Sequence, residues 1–102
     1  MSTGNGMRPH VVLELSGELD VSNANDAHKR MLGLELRPGW QLVLDLRELT
    51  FMDSTGIRLI LQASEHARVH GAGLVVVRPP AAVMRVISLV GLDEQLDIVE
   101  RI

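Results

Sequence analysis

Apolar residues fall into four short runs separated by three stretches of helical spacing. Residues 10–15 alternate loosely and are rich in Val and Leu, which predicts a strand. Ser16-Gly17-Glu18-Leu19-Asp20 reads as a turn leading into a helix, with Ser22 or Asn23 placed to cap it. Ala24, Ala27, Met31 and Leu34 then form one apolar stripe, ended by Arg37-Pro38-Gly39. Residues 41–46 are a second strand. Its Val and Leu side chains point both ways, predicting a sheet with helices over at least part of each face. Ile57, Ile60, Leu61 and Ala67 mark the next helix, closed by Gly71 or Gly73. Residues 74–77 form a third strand, stopped by Arg78-Pro79-Pro80. Val83, Val86, Ile87 and Val90 recur at i, i+3, i+4, i+7, with Gly91 as the closing residue and Leu92 packing back. Residues 96–99 are a fourth strand. The order β-α-β-α-β-α-β implies an α/β fold with a largely parallel sheet of about four strands.

Composition narrows this. Trp40 and Phe51 are the only aromatic residues, so the core is aliphatic. At 102 residues the chain holds one domain, read as a flexible leader over 1–9 and a folded unit over 10–102. Net charge is −3 with the signs interspersed, and no basic patch with aromatics points to nucleic acid. Cysteine is absent, which removes disulfide and thiol chemistry. No apolar run approaches the roughly 20 residues of a membrane span. Residues 1–6 lack the apolar centre of a signal peptide. We expect a cytoplasmic protein without a membrane partner, monomeric or weakly dimeric.

The chemistry gathers at Phe51-Met52-Asp53-Ser54-Thr55-Gly56-Ile57, between a strand and a helix. A hydroxyl beside a carboxylate stands there at a helix N-terminus, a place that favours added negative charge. Phosphorylation of Ser54 would add close to two negative charges and three strong acceptors. Gly56, without a side chain, lets a partner or phosphate approach the backbone. Phe51 and Met52 read as part of an exposed contact surface. Taken alone, Asp-Ser-Thr-Gly reads first as a helix cap, and only its context favours the functional reading. Asp20 also follows a strand and precedes a helix. If the two strands are neighbours in register, Asp20 and Asp53 flank one surface.

Other constellations carry less. His66 and His70 lie at i, i+4, but no third ligand accompanies them, so no metal is expected. No Gly-x-Ser-x-Gly elbow surrounds Ser54, and neither a phosphate-binding loop nor a dinucleotide fingerprint is present. No catalytic residue and no cofactor are expected, and the chain does not read as an enzyme. Asp45, inside an apolar strand, reads as a paired or edge-facing structural residue, and Met52 and Met84 as packing residues.

Ser16-Gly17-Glu18-Leu19-Asp20 followed by Leu49-Thr50-Phe51-Met52-Asp53-Ser54-Thr55-Gly56-Ile57 resembles the STAS domain of bacterial anti-sigma factor antagonists. The likeness extends from about Val11 to Val99. It implies a small binding protein that captures a GHKL-type serine-kinase anti-sigma factor and so frees a sigma factor. The kinase would phosphorylate Ser54, and a PP2C-type phosphatase would reverse this. It further implies that Asp20, Asp53, Ser54, Thr55, Gly56, Ile57 and Arg58 form the partner surface. Arg58 stands where several relatives carry glycine, so it could offset a phosphate on Ser54 or tune partner choice. The alternative within the family is a scaffold, transport-associated or nucleotide-sensing module outside sigma control.

Overall fold

The computed structural model describes residues 8–102. The leader expected over 1–9 therefore lies mostly outside the described residues. Eight segments follow in order: β1 (His10–Leu19), α1 (Ala24–Leu32), β2 (Gln41–Met52), α2 (Ser54–Val69), β3 (Gly73–Val77), α3 (Ala81–Leu89), a 3₁₀ turn (Leu92–Glu94) and β4 (Asp97–Val99). All neighbouring strands are parallel, and their spatial order is β1-β2-β3-β4. The expected element order and sheet type both appear.

The placement of the helices differs from expectation. Right-handed crossovers that step the same way each time put every helix on one face. Leu13 and Leu15 of β1, Leu42, Leu44 and Leu46 of β2, and Val76 of β3 accordingly share one buried cluster with side chains of all three helices. These include Met31 of α1, Ile60 and Ala63 of α2, and Ile87 of α3. The opposite face carries only a small group, Val43, Val75 and Val77, flanked by Val12 and Val99. No helix contributes to that group among the described residues.

Both strands nearest the motif run longer than their alternation suggests. β1 continues through Ser16 and Gly17 to Leu19, where a turn was expected. β2 continues past Leu46 to Met52. The register explains this. Glu14 pairs with Asp45 but Ser16 with Glu48, and Gly17 pairs with Leu49 but Glu18 with Phe51. Each shift admits one extra residue into β2, as a bulge does. On the helix-covered face, the core positions of β2 therefore step by two from Leu42 to Leu46 and then by three, to Leu49 and Met52.

Helix ends follow local chemistry. α1 stops at Leu32, earlier than expected, and the Gly33 N–H donates back to the Lys29 and Arg30 carbonyls. Leu34 lies beyond the helix and still packs on the core. α3 ends before Gly91, which takes a left-handed conformation (φ 78°). The chain then folds back and buries Leu92.

Candidate functional site

Leu19, the last residue of β1, is the register partner of Met52, the last residue of β2. The loops that follow, beginning at Asp20 and Asp53, therefore leave the same end of the sheet side by side. The condition under which the two aspartates share a surface is met. In parallel α/β sheets this carboxyl end is where functional groups gather.

The Asp20 loop is built from hydrogen bonds. Asp20 Oδ1 accepts from the Ser22 N–H at 2.9 Å and from the Ser22 hydroxyl at 2.6 Å. The Ser22 hydroxyl, then its N–H, holds the Asp20 carboxyl below the usual carboxylate range. The Asp20 carbonyl accepts from the Ala24 N–H at 2.9 Å, which starts α1. Asn23 occupies the cap position but makes no side-chain bond to the helix. Instead its Oδ1 accepts from the Asp20 N–H at 3.1 Å and its Nδ2 donates to the Glu18 carbonyl at 2.6 Å. The expected helix cap is a loop staple. Val21 at the tip is 82 % exposed.

The Asp53 loop is shorter. Asp53 caps α2: its Oδ1 accepts from the Thr55 N–H at 2.8 Å, and its carbonyl accepts from the Gly56 N–H at 3.0 Å. The helix begins at Ser54, three residues before the first apolar position of the expected stripe. Ser54 and Arg58 are exposed, and Thr55 and Ile57 are half-buried. No side-chain hydrogen bond engages the Ser54 hydroxyl among the described residues, so the oxygen is open to solvent.

Two expectations about this loop need correction. Of its two readings Met52 keeps the packing one and does not join Phe51 on a contact surface: Phe51 is 48 % exposed, whereas Met52 is 2 % exposed and sits in the core. Gly56 does not offer its backbone to a partner. It is buried and faces the Met52 and Leu19 side chains. It serves the surface indirectly, by letting the first turn of α2 settle close to β2.

Between the two loops lies a cleft lined by Val21, Ala24, Asn25 and His28 on one side and Thr55, Arg58 and Gln62 on the other. Val21, Asn25 and Gln62 were not singled out from the sequence. An isolated valine between Asp20 and Ser22 was the one available signal.

Asp45, His66 and His70 do not line this cleft. Asp45 is 5 % exposed, and Arg47 grips it with Nε at 3.0 Å and Nη2 at 2.7 Å. Arg47 thereby holds the Asp45 carboxyl below its ordinary range, against the opposing effect of burial. The His66 and His70 rings lie 4.5 Å apart, and no third His, Cys, Asp or Glu joins them to make a metal-holding group among the described residues. No helix among the described residues is long and apolar enough to cross a membrane.

A family model described as "Mlab, STAS domain" matches residues 5–100. The chain belongs to the STAS domain family. This STAS domain is 26 % identical over 89 residues to an anti-sigma-B factor antagonist of Listeria monocytogenes, across 87 % of this chain and 78 % of that one. The anti-sigma-B factor antagonist of Listeria innocua matches equally. Among solved structures, the unphosphorylated anti-sigma factor antagonist SpoIIAA superposes with a TM-score of 0.72 at 21 % identity, over 94 % of this chain and 84 % of that one. The phosphorylated Bacillus cell fate determinant SpoIIAA gives a TM-score of 0.65 at 21 % identity, over 94 % and 87 %. These two likenesses concern the fold.

Proposed function

We propose that this STAS domain is an anti-sigma factor antagonist. It binds a serine-kinase anti-sigma factor of the GHKL type through the Asp20 and Asp53 loops, releases that factor's sigma subunit, and is switched off when the kinase phosphorylates Ser54. A PP2C-type phosphatase resets it, and the exchange takes place in the cytoplasm. ATP and magnesium belong to the kinase; this chain supplies the hydroxyl and the docking surface.

The observation that carries the reading is the open Ser54 hydroxyl at the first position of α2, beside the Asp20 loop. The similarity to the two Listeria antagonists supports it. A neutral hydroxyl enters an interface at modest cost when it is hydrogen-bonded. A phosphate there must lose its water close to the Asp53 and Asp20 carboxylates, and burying unpaired charge is expensive. A penalty of about 3–4 kcal/mol lowers affinity a few hundredfold. No large movement of the fold is needed, so the switch is local and electrostatic.

The test is affinity capture from the native host's lysate with Ser54→Ala and Ser54→Glu as paired baits, read by mass spectrometry. The proposal expects a GHKL-type kinase on the alanine bait and its loss from the glutamate bait. Recovery of the same scaffold or transport proteins on both baits would sink it and leave Ser54 as an ordinary first-turn residue.

A further inference from the structure

The cleft beside Ser54 runs on into a second groove. His28 and Arg58 line both, and the second lies between α1 and α2, continued by Leu32, Leu61 and Val69. These three apolar side chains are 53 %, 49 % and 65 % exposed. Leu61 and Val69 are two helical turns apart, about 12 Å at 1.5 Å per residue. Anchors at i, i+3 or i+4, and i+7 on a docking helix span nearly the same distance.

The rim indicates what fits. Arg58 is exposed and meets no carboxylate among the described residues. Glu65, the one acidic residue lining this groove, is already held by Arg68 of its own helix. A second copy presenting the same face would bring Arg58 and histidines against Arg58 and histidines. A foreign helix with an apolar stripe and a flanking carboxylate would satisfy both the leucines and the arginine.

We propose that the α1–α2 groove receives an acidic amphipathic helix of the partner, so that the docking surface extends from Ser54 along α2 to Val69. The identity of that partner rests on the antagonist reading above; the chemistry of the groove does not. Arg58, one turn after Ser54 and at the junction of cleft and groove, is the charged residue that both ends share, along with His28 and Gln62.

The test uses two probes on the full chain. The first is a phage library of helical peptides, about 14 residues long to cover the groove, selected on the wild-type protein and mapped by ¹H–¹⁵N chemical shifts. The proposal expects peptides with apolar anchors at this spacing and an Asp or Glu beside them. They should shift amides of α1 and α2 and lose about tenfold or more on Leu61→Ser and Arg58→Glu. Peptides that map elsewhere, or show no acidic preference, overturn it. So does a dimer in analytical ultracentrifugation that Leu61→Ser dissociates. Melting curves of both variants should overlay the wild type, since both side chains are exposed.

The second probe is the kinase recovered on the Ser54→Ala bait, titrated against Leu61→Ser, with Leu89→Ser on α3 as the control. A loss of about tenfold on Leu61→Ser alone supports the groove. A kinase that discriminates at Ser54 but binds Leu61→Ser normally leaves the antagonist reading standing and overturns the groove. If no kinase is recovered while the library converges on the groove, the antagonist reading falls and the acidic-helix site remains.

Discussion

Gly56 and Met52 touch so closely that they exclude any side chain at Gly56. A Cβ built there would lie 2.0 Å from Met52 Cγ and 2.6 Å from its Sδ, with Leu19 Cδ2 at 3.2 Å. Met52 ends β2, Leu19 ends β1, and Gly56 lies in the first turn of α2. This one contact therefore sets how far the Ser54 turn stands above the sheet. Gly56→Ala should destabilise the fold by up to about 2 kcal/mol: overpacking costs about 1–3 and the gain in helix propensity returns about 1. In a Met52→Ala background the clash disappears, and the same Gly56→Ala change should become neutral or stabilising. Urea unfolding of the four proteins in the cycle measures this; strictly additive effects would contradict the contact.

Asp53 acts first as a helix cap, and that role can be separated from its charge. Asp53→Ala should lose about 0.5–2 kcal/mol, the usual worth of an N-cap. Asp53→Asn keeps an acceptor for the Thr55 N–H and should unfold within a few tenths of a kcal/mol of wild type. Urea melts of the pair give the answer directly. Equal loss in both variants would mean that the charge at the helix N-terminus, not the cap bond, stabilises α2.

Much of this architecture was readable from hydrophobic spacing, because each strand core and each helix stripe keeps its own period. The misses have specific causes. β2 seemed to stop at Leu46 because two bulges change its buried period from two to three, and spacing alone cannot separate a bulged strand from a loop. The one-sided placement of the helices depends on strand order, which the two-faced apolar pattern of Leu42, Val43 and Leu44 does not encode. Gly56 was misjudged because the apolar stripe of α2 was read only from Ile57. Started at Ser54, the helix puts Gly56 in line with Leu59, Ile60, Ala63 and Ala67, all buried. The pairing of Asp20 with Asp53 was legible as a condition. Its fulfilment needed the Leu19–Met52 register.

Asp20 offers a clean probe of charge at the partner surface. Its Oδ1 organises the turn through Ser22, and an asparagine oxygen accepts the same two bonds. Asp20→Asn should therefore leave the melting temperature near that of wild type. If the surface works electrostatically, affinity for the captured partner should change and its salt dependence should weaken. Unchanged affinity at both low and high salt would remove the Asp20 charge from recognition.

Buried Asp45, paired with the exposed Arg47, makes the sheet sensitive to acid. The folded carboxyl titrates below its ordinary value of 3.8, so the unfolded chain takes up its proton first as pH falls. The pair's contribution is fully present above that value and is lost as pH drops through the lower folded one. Asp45→Asn should cost about 1.5–3 kcal/mol at neutral pH, the range for hydrogen bonds to charged groups. It should also flatten the stability profile below about pH 4. Chemical unfolding of both proteins between neutral pH and strong acid reads this out; parallel profiles would show that Asp45 does not titrate in the transition.

His66 gives a signature of the same sign, nearer neutrality. Its Nε2 is buried without a partner in the wall of the α1–α2 groove. Burial, then the nearby His70 and His28, makes it harder to protonate than the ordinary value of 6.5. Above that value the folded and unfolded chains are both neutral at this site, and it has no effect on stability. As pH falls below it, the unfolded chain gains a proton that folded His66 resists, so stability declines until the folded side chain also titrates. His66→Gln should shallow this decline between about pH 6.5 and 5, a window set by the ordinary histidine value. His10→Gln, at the start of β1 and far along the chain, serves as the control. Thermal melts across that window in a buffer series check it. An identical slope in wild type and His66→Gln would mean that the groove histidine protonates as freely in the folded protein as in the unfolded chain.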